Sequence, residues 1–322
     1  RVTLGINKLS HRGPNGAGIE KFQLGDCFGV LAHSRLSIID LSSESAQPMA
    51  CETGRWIISF NGEIYNYVEL RAELKGIGVH FRTSGDTEVL LAAWRQWGPQ
   101  CLVKIDGMFS FAILDTFEQR LFLVRDPYGI KPLFYRLTDG KLDFSSEMAA
   151  LLCQSSDRPK LNEFVSFDFI AYSDYDCKQN TFVEDVCRVE SGCYLSFDLT
   201  TRNLSHKRWW SPDVTQTSSL SYEDSVDLFR TLFLESVRIQ LRSDVAIGAA
   251  LSGGVDSSAI ICAIKYLDPG VDLNTYTFDS MDAGTSELKW ANVVNEFTGF
   301  TNKIVSYSGG FCIDDLDTMI TS

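Results

Sequence analysis

Apolar positions along this chain follow two different rhythms. In roughly the first two hundred residues they fall into short runs broken by turn formers. Residues 55–60 are an apolar run of strand length, 66–75 has helix-forming composition and stops near Gly76 and Gly78, and 87–97 is a second helix closed by Gly98. A meander follows: 108–114 is apolar, 116–120 turns, 121–124 runs back, and Pro127, Tyr128 and Gly129 turn again into 132–137. Asp139-Gly140 then signals a hairpin into 142–144. Consecutive short strands with tight turns predict an antiparallel sheet carrying helices on its face.

Residues 211–221 shift to Ser, Thr, Pro and Gln and read as a linker. After it the period becomes helical. Residues 222–242 place Val226, Phe229, Leu232, Phe233 and Val237 at helix spacing, and an apolar strand is predicted at 245–251. A helix at 257–267, a strand at 271–278, a helix at 286–297 and a strand at 303–307 complete a β-α-β-α-β series, which predicts a parallel sheet. Three strands leave edges bare, the chain opens on Arg1 rather than Met, and sequence is expected beyond both ends.

Charge and composition narrow the partners. The 322 residues carry a formal net charge of −13, which repels nucleic acid and anionic membrane, so neither is expected as a partner. No apolar run has the length of a bilayer span, and residues 1–7 do not resemble a secretory signal. Nine scattered cysteines make an odd, unpatterned set that reads as small hydrophobes rather than a disulfide framework. The four histidines, His11, His33, His80 and His206, are not spaced with a cysteine or with one another as a zinc site requires. A reducing, cytoplasmic compartment is expected.

The sharpest chemical signal is Ser252-Gly253-Gly254-Val255-Asp256-Ser257-Ser258, between a predicted buried strand and a helix. Two glycines let backbone approach a ligand, helix-start amides face an anion, and the hydroxyls add donors. Asp256 offers Mg²⁺ a hard oxygen. The ordinary structural reading is a Gly-Gly turn with caps. The whole string, however, resembles the pyrophosphate loop of the ATP pyrophosphatases and lacks the Gly-Lys-Ser/Thr ending of a P-loop. The resemblance implies ATP contacts at Leu251, Ser252, Gly253, Gly254, Asp256, Ser257, Ser258 and Phe278, with Mg²⁺ at Asp256; for Phe278 a core aromatic is the competing reading.

Six strings in the first half then gain meaning together: His11-Arg12-Gly13-Pro14, residues 35–40 (RLSIID), 60–66 (FNGEIYN), 84–88 (SGDTE), 107–111 (GMFSF) and 125–133 (RDPYGIKPL). In order, from about Leu9 to Trp210, they resemble the class II glutamine amidotransferase domain of the glutamine-hydrolysing asparagine synthetases, followed as there by the SGGVDSS domain. The implied architecture is α+β, then α/β: an antiparallel αββα amidotransferase domain over 1–210, a linker at 211–221, and the start of a parallel-sheet ATP-pyrophosphatase domain over 222–322. The resemblance implies that Arg35 grips the α-carboxylate of glutamine. Asn61 and Gly62 form an oxyanion hole, and Glu63 and Asp86 accept the α-amino group. Taken alone, Asn61-Gly62 reads as a turn, Asp86 as a helix cap and Arg35 as a surface ion pair. His11 and His33 read as structural.

In that family an N-terminal Cys attacks glutamine. Cys27 and Cys51 are internal and follow His11-Arg12-Gly13-Pro14, so the nucleophile is expected in sequence preceding this chain. Asn15 replaces the usual Asp, and Ser286-Glu287 stands where Asp-Glu is common. The implied reaction is glutamine-dependent amidation of adenylated aspartate, giving asparagine, glutamate, AMP and pyrophosphate. Other readings stay open: a relative amidating or cyclising another carboxylate, a β-lactam-synthetase-like relative without glutaminase activity, or a catalytically silent binding protein. The expected partners are glutamine, ATP and the acceptor acid, with a homodimer left open.

Overall fold

The computed structural model describes residues 2–154, 158–174, 178–279 and 286–306. Cys177, Tyr307 and Cys312 lie outside them. The chain divides into two compact units, Arg1–Thr215 and Gln216–Ser322.

The first unit begins with helix α1 (Val2–Lys8) and a hairpin of β1 (Gly16–Leu24) and β2 (Cys27–Arg35), turned at Gly25 with φ +58°. Strands β3 (Met49–Ala50) and β4 (Trp56–Ile64) precede helices α2 (Tyr67–Gly76) and α3 (Asp86–Trp97). Next come β5 (Gly107–Asp115), β6 (Arg120–Arg125), β7 (Phe134–Thr138), β8 (Lys141–Ser145), α4 (Met148–Leu152) and α5 (Glu163–Tyr172). Strands β9 (Cys187–Arg188), β10 (Cys193–Asp198) and β11 (Leu204–Arg208) complete it. The main sheet has the order β11-β10-β6-β5-β4-β3 and every described pair in it is antiparallel; β8-β7-β9 form a second antiparallel sheet.

Strand periodicity explains the layers. On β5, Phe109, Phe111 and Ile113 join Leu70, Leu74, Leu90 and Trp94 of α2 and α3 in one core. The alternate residues Ala112 and Leu114 join Leu31 of β2, Tyr135 of β7, and Leu195 and Phe197 of β10 in another. Helices α1 and α4 touch each other and cover β2, β7 and β8 on the far side. The order is therefore helix, sheet, sheet, helix, the αββα arrangement expected. Trp94 sits between the rings of Phe111 (5.6 Å) and Phe122 (5.2 Å), both edge-on.

The second unit contains α6 (Tyr222–Gln240), β12 (Gly248–Ala250), α7 (Val255–Leu267), β13 (Asn274–Asp279), α8 (Leu288–Thr298) and β14 (Thr301–Ser306). Ser221 caps α6 by accepting from Asp224 N–H, and Gly299, in the left-handed region, ends α8. The sheet β12-β13-β14 is parallel, as the β-α-β series predicted.

Several expectations need correction. The meander expected over 108–144 does not lie in one sheet: β5 and β6 belong to the main sheet, whereas β7 and β8 pair in the second. The strand expected at 245–251 contracts to three residues, because only Gly248–Ala250 pair with β13. The Asn61-Gly62 dipeptide makes no turn; β4 runs straight through it. On α6, Val237 is buried and Phe233 packs beside it, whereas Phe229 is 71% exposed, so the apolar stripe is covered within this unit only toward its carboxyl end. The β1–β2 hairpin, α1, α4, α5 and the β10–β11 pair were not anticipated.

Candidate functional site

Strand β4 carries three consecutive residues to the edge of a cavity of about 1030 Å³ inside the first unit. Asn61 and Glu63, two apart on a strand, share one side, and Gly62 lies between them. Gly62 has φ +154°, and a Cβ built there would lie 2.1 Å from Met108 O on the neighbouring strand. Asn61 Nδ2 donates to Ser146 Oγ at 3.4 Å. Arg35, Asn61, Gly62, Glu63 and Asp86 all line this cavity, so the five residues singled out in the first half of the sequence converge.

Asp86 opens α3, but it does not cap that helix. Gly85 is the cap, and Ile64 N–H donates to Asp86 Oδ2 at 3.0 Å, tying the carboxylate to the end of β4. Burial pushes its pKa up to about 7; the Ile64 bond opposes this and the nearby charge of Glu63 adds to it. Glu63 is likewise raised by burial, against the pull of the Lys131 cation. Two neighbouring carboxyl groups whose pKa values are raised by burial form an acceptor that a cationic ligand group would hold in the charged form.

Arg35, at the end of β2, is braced by backbone rather than by an acid. Its Nη1 and Nη2 donate to Ser42 O (2.8 Å) and Asp40 O (2.7 Å). Burial raises the Asp40 carboxyl, but hydrogen bonds from the Ser42 and Ser45 hydroxyls foremost, and from Ser42 N–H and Ser84 N–H, outweigh it and hold the carboxyl below the usual range. The loop after β2 is thereby fastened to the loop that enters α3, with a guanidinium fixed over the pocket. An arginine held this way presents its remaining donors to an anion.

His33 donates from Nε2 to Phe60 O at 3.1 Å, and burial drops its pKa to about 4, so it is neutral at physiological pH. His11 lies 3.2 Å from Glu147 Oε1. Cys27 Sγ faces Arg202 Nη1 at 3.5 Å, and Cys51 Sγ faces Thr53 and Trp56 N–H, so both thiols take their partners away from Asn61 and Gly62. Sequence reading passed over two pocket residues. Gln47 accepts from Phe60 N–H and donates to Thr87 Oγ1, bracing β4 against α3. Lys131 lines the pocket from the RDPYGIKPL string, which was noticed as a motif without a role for its lysine.

In the second unit the loop between β12 and α7 is held by its own side chains. Ser252 Oγ and Ser257 Oγ are 3.0 Å apart, Gly254 N–H donates to Ser252 Oγ, and Gly254 caps α7. Leu251 is buried and bonded to Tyr276 O through its N–H. Asp256 and Ser258 lie in the first turn of α7, with Asp256 exposed. Phe278, near the end of β13, is 62% exposed and is therefore no core aromatic. Gly253 has φ +79°, and a Cβ there would come within 2.6 Å of Trp290 Cβ and 2.8 Å of Ala291 N. Gly253→Ala is expected to displace the loop from α8 and lower ATP affinity at least about tenfold, a loss of about 1.4 kcal/mol, read by calorimetric titration with Mg-ATP. Unchanged affinity would mean the loop does not touch the nucleotide.

Among the described residues one other ligating group assembles: Glu190, Cys193 and His206, with ligand atoms within 4.8 Å of one another. Strand pairing brings it together, since His206 lies opposite Leu195 on β10, and no linear spacing announces it. Arg208 Nη2, 3.0 Å from Glu190 Oε2, already supplies the countercharge a metal would.

The family profile described as glutamine amidotransferase domain matches residues 2–210, and that described as asparagine synthase matches 228–322. Asparagine synthetase [glutamine-hydrolyzing] 1 of Bacillus subtilis is 34% identical over 308 residues, covering 92% of this chain and 46% of the relative. A putative asparagine synthetase [glutamine-hydrolyzing] of Mycobacterium tuberculosis H37Rv is 35% identical over 317 residues, with 92% and 47% coverage. The chain thus spans about half the length of the curated relatives it matches. Among solved structures, the B. subtilis glutamine phosphoribosylpyrophosphate amidotransferase aligns over 94% of this chain and 62% of its own, at 18% identity and a TM-score of 0.47.

Proposed function

This chain belongs to the family of glutamine-hydrolysing asparagine synthetases, a glutamine amidotransferase domain joined to an asparagine synthase domain, and on that premise we propose that it releases ammonia from glutamine in the first domain and uses ATP in the second to amidate aspartate. The observation that carries this is the convergence of Arg35, Asn61, Gly62, Glu63 and Asp86 on one pocket. Arg35 takes the α-carboxylate of glutamine, Glu63 and Asp86 take its α-ammonium, and the side-chain amide is left against Asn61 Nδ2 and Gly62 N–H. Those two donors stabilise the oxyanion formed when a thiolate adds to the amide carbon.

In the second domain the amides at the start of α7 and the hydroxyls of Ser252, Ser257 and Ser258 receive phosphate oxygens, Leu251 and Phe278 border the nucleotide, and Asp256 is the ligand we assign to Mg²⁺. When bound, the ion neutralises phosphate charge. Seven described cysteines are all free, and no described helix is long and apolar enough to cross a membrane; both facts suit the cytoplasmic location we assign.

The test is the full-length protein supplied with Mg-ATP, glutamine and aspartate. Asparagine and pyrophosphate should appear in equal amounts, with glutamate alongside. Glutamate without aspartate-dependent pyrophosphate would point to another carboxylate as acceptor, and pyrophosphate without any glutamate to a β-lactam-synthetase-like relative.

A further inference from the structure

The loop that carries Lys131 is more firmly built than a surface turn needs to be. Asp126, fully buried, accepts from the N–H groups of Tyr128 and Ile130 through Oδ1, and from Lys131 and Phe109 through Oδ2. From the other side the Arg125 guanidinium donates to the carbonyls of Gly129, Lys131 and Val189. Lys131 is therefore pinned at both its N–H and its C=O, and its side chain enters the same cavity wall as Asn61, Gly62 and Glu63. Among the described residues no acid lies within ion-pair distance of its ammonium. The clamp fixes the backbone from which this side chain reaches the cavity wall, beside the β4–β5 pair that carries Glu63.

We propose that Lys131 is a positioning residue of the glutamine pocket, acting through Glu63: its ammonium supplies the countercharge that lets Glu63 and Asp86 stand side by side as the acceptor for a ligand α-ammonium. The proposal rests on the glutamine reading of the pocket. The charges that bear on Glu63 and its neighbours are Lys131, Asp86 and Tyr65, and those that bear on Lys131 are Glu63, Arg12 and Asp126. Burial raises Glu63 and Lys131 opposes that rise, while Glu63 raises Asp86 in its turn. Without the lysine, Glu63 holds its proton to higher pH, and Glu63 and Asp86 titrate as a coupled pair. At alkaline pH the lysine is no longer needed and mildly opposes the incoming ammonium.

The experiment measures glutamine affinity of the chain by calorimetry between pH 5.5 and 9, in wild type, Lys131→Met and Lys131→Arg. In the wild type, affinity falls on the acid side. In Lys131→Met this acid limb should move to higher pH by about half a unit or more, with affinity at pH 6 reduced about three- to tenfold and the difference gone by pH 9. Lys131→Arg should restore the wild-type profile. The same samples without glutamine, followed by carbon-13 carboxyl NMR, should show the Glu63 titration moving up in Lys131→Met alone. A loss of affinity equal at every pH, or an unmoved Glu63 titration, overturns the proposal. Wild-type chain that binds no glutamine overturns the pocket reading itself, and the carboxyl titration then still reports on the Lys131–Glu63 interaction.

Discussion

A Gly62→Ala chain should lose about 3 kcal/mol or more of the first unit's stability, although alanine keeps the backbone amide we propose for the oxyanion hole. The added Cβ would sit 2.1 Å from Met108 O, which is backbone and cannot swing aside, and φ +154° is unfavourable for any side chain. The strain falls on the pairing of β4 with β5, the longest register in the main sheet. Gly107 has the mirror problem on the other strand, since a Cβ there would meet Glu63 O at 2.3 Å. Gly107→Ala therefore serves as a companion without any chemical role. Urea midpoints of both variants should fall together, with slopes unchanged. A Gly62→Ala stability within about 0.5 kcal/mol of wild type would show that the close approach of the strands does not require glycine at this position.

Asp86→Asn should move stability and binding in opposite directions. The folded state holds this carboxyl's pKa at about 7 against an ordinary 3.8. A raised carboxyl makes stability fall as pH climbs from about 4 to about 7, because the unfolded chain has released a proton that the fold retains; above about 7 the cost is complete. At pH 8 it is at most on the order of 4 kcal/mol. Asparagine keeps an oxygen for Ile64 N–H and carries no charge, so the variant should gain stability at pH 8 and show a flatter profile between pH 4 and 7. Glutamine, deprived of one partner for its α-ammonium, should bind about a hundredfold more weakly, as loss of a buried charge-assisted bond of roughly 2–3 kcal/mol implies. Equal thermal midpoints of wild type and variant at pH 8 would sink the stability half, and retained affinity the binding half.

How much of this was legible beforehand depends on the range of the interactions. The β5–β6 and β7–β8 hairpins were readable because in each the two strands are sequence neighbours joined by a short turn, and Asp139 and Gly140 both take positive φ as the second requires; the passage from β6 in the main sheet to β7 in the other leaves no mark on periodicity. The parallel series in the second unit was readable for a similar reason: β-α-β alternation leaves few topologies. The β1–β2 hairpin escaped notice because its strands lack clean alternation: Glu20, Lys21 and Phe22 follow one another, and most of β1 faces solvent. Helix α5, with Phe164, Phe167 and Ile170 all strongly exposed, has no polar face to give it a helical signature. At the pocket, the residue types were visible as strings, but their meeting was not. Asp86 reads equally well as a helix cap until Ile64 N–H is seen to claim it. The support given to Arg35 by two carbonyls, and to Lys131 by Arg125 and Asp126, lives in the backbone and leaves no mark on periodicity.

The order of strands in the main sheet also sets a clock. Strand β6 pairs with β5 almost as soon as it is made, but its other edge waits for β10, about seventy residues later in the chain. At elongation rates of roughly 5–20 residues per second that edge, with Leu121, Phe122, Leu123 and Val124 along it, stays open for on the order of 4 to 14 s during synthesis. Hairpins close in microseconds, so local pairing cannot shorten the wait. Until β10 arrives, a strand meant for the centre of the sheet is an edge, and the nascent chain depends on dilution or on chaperones to keep a second copy from taking its place.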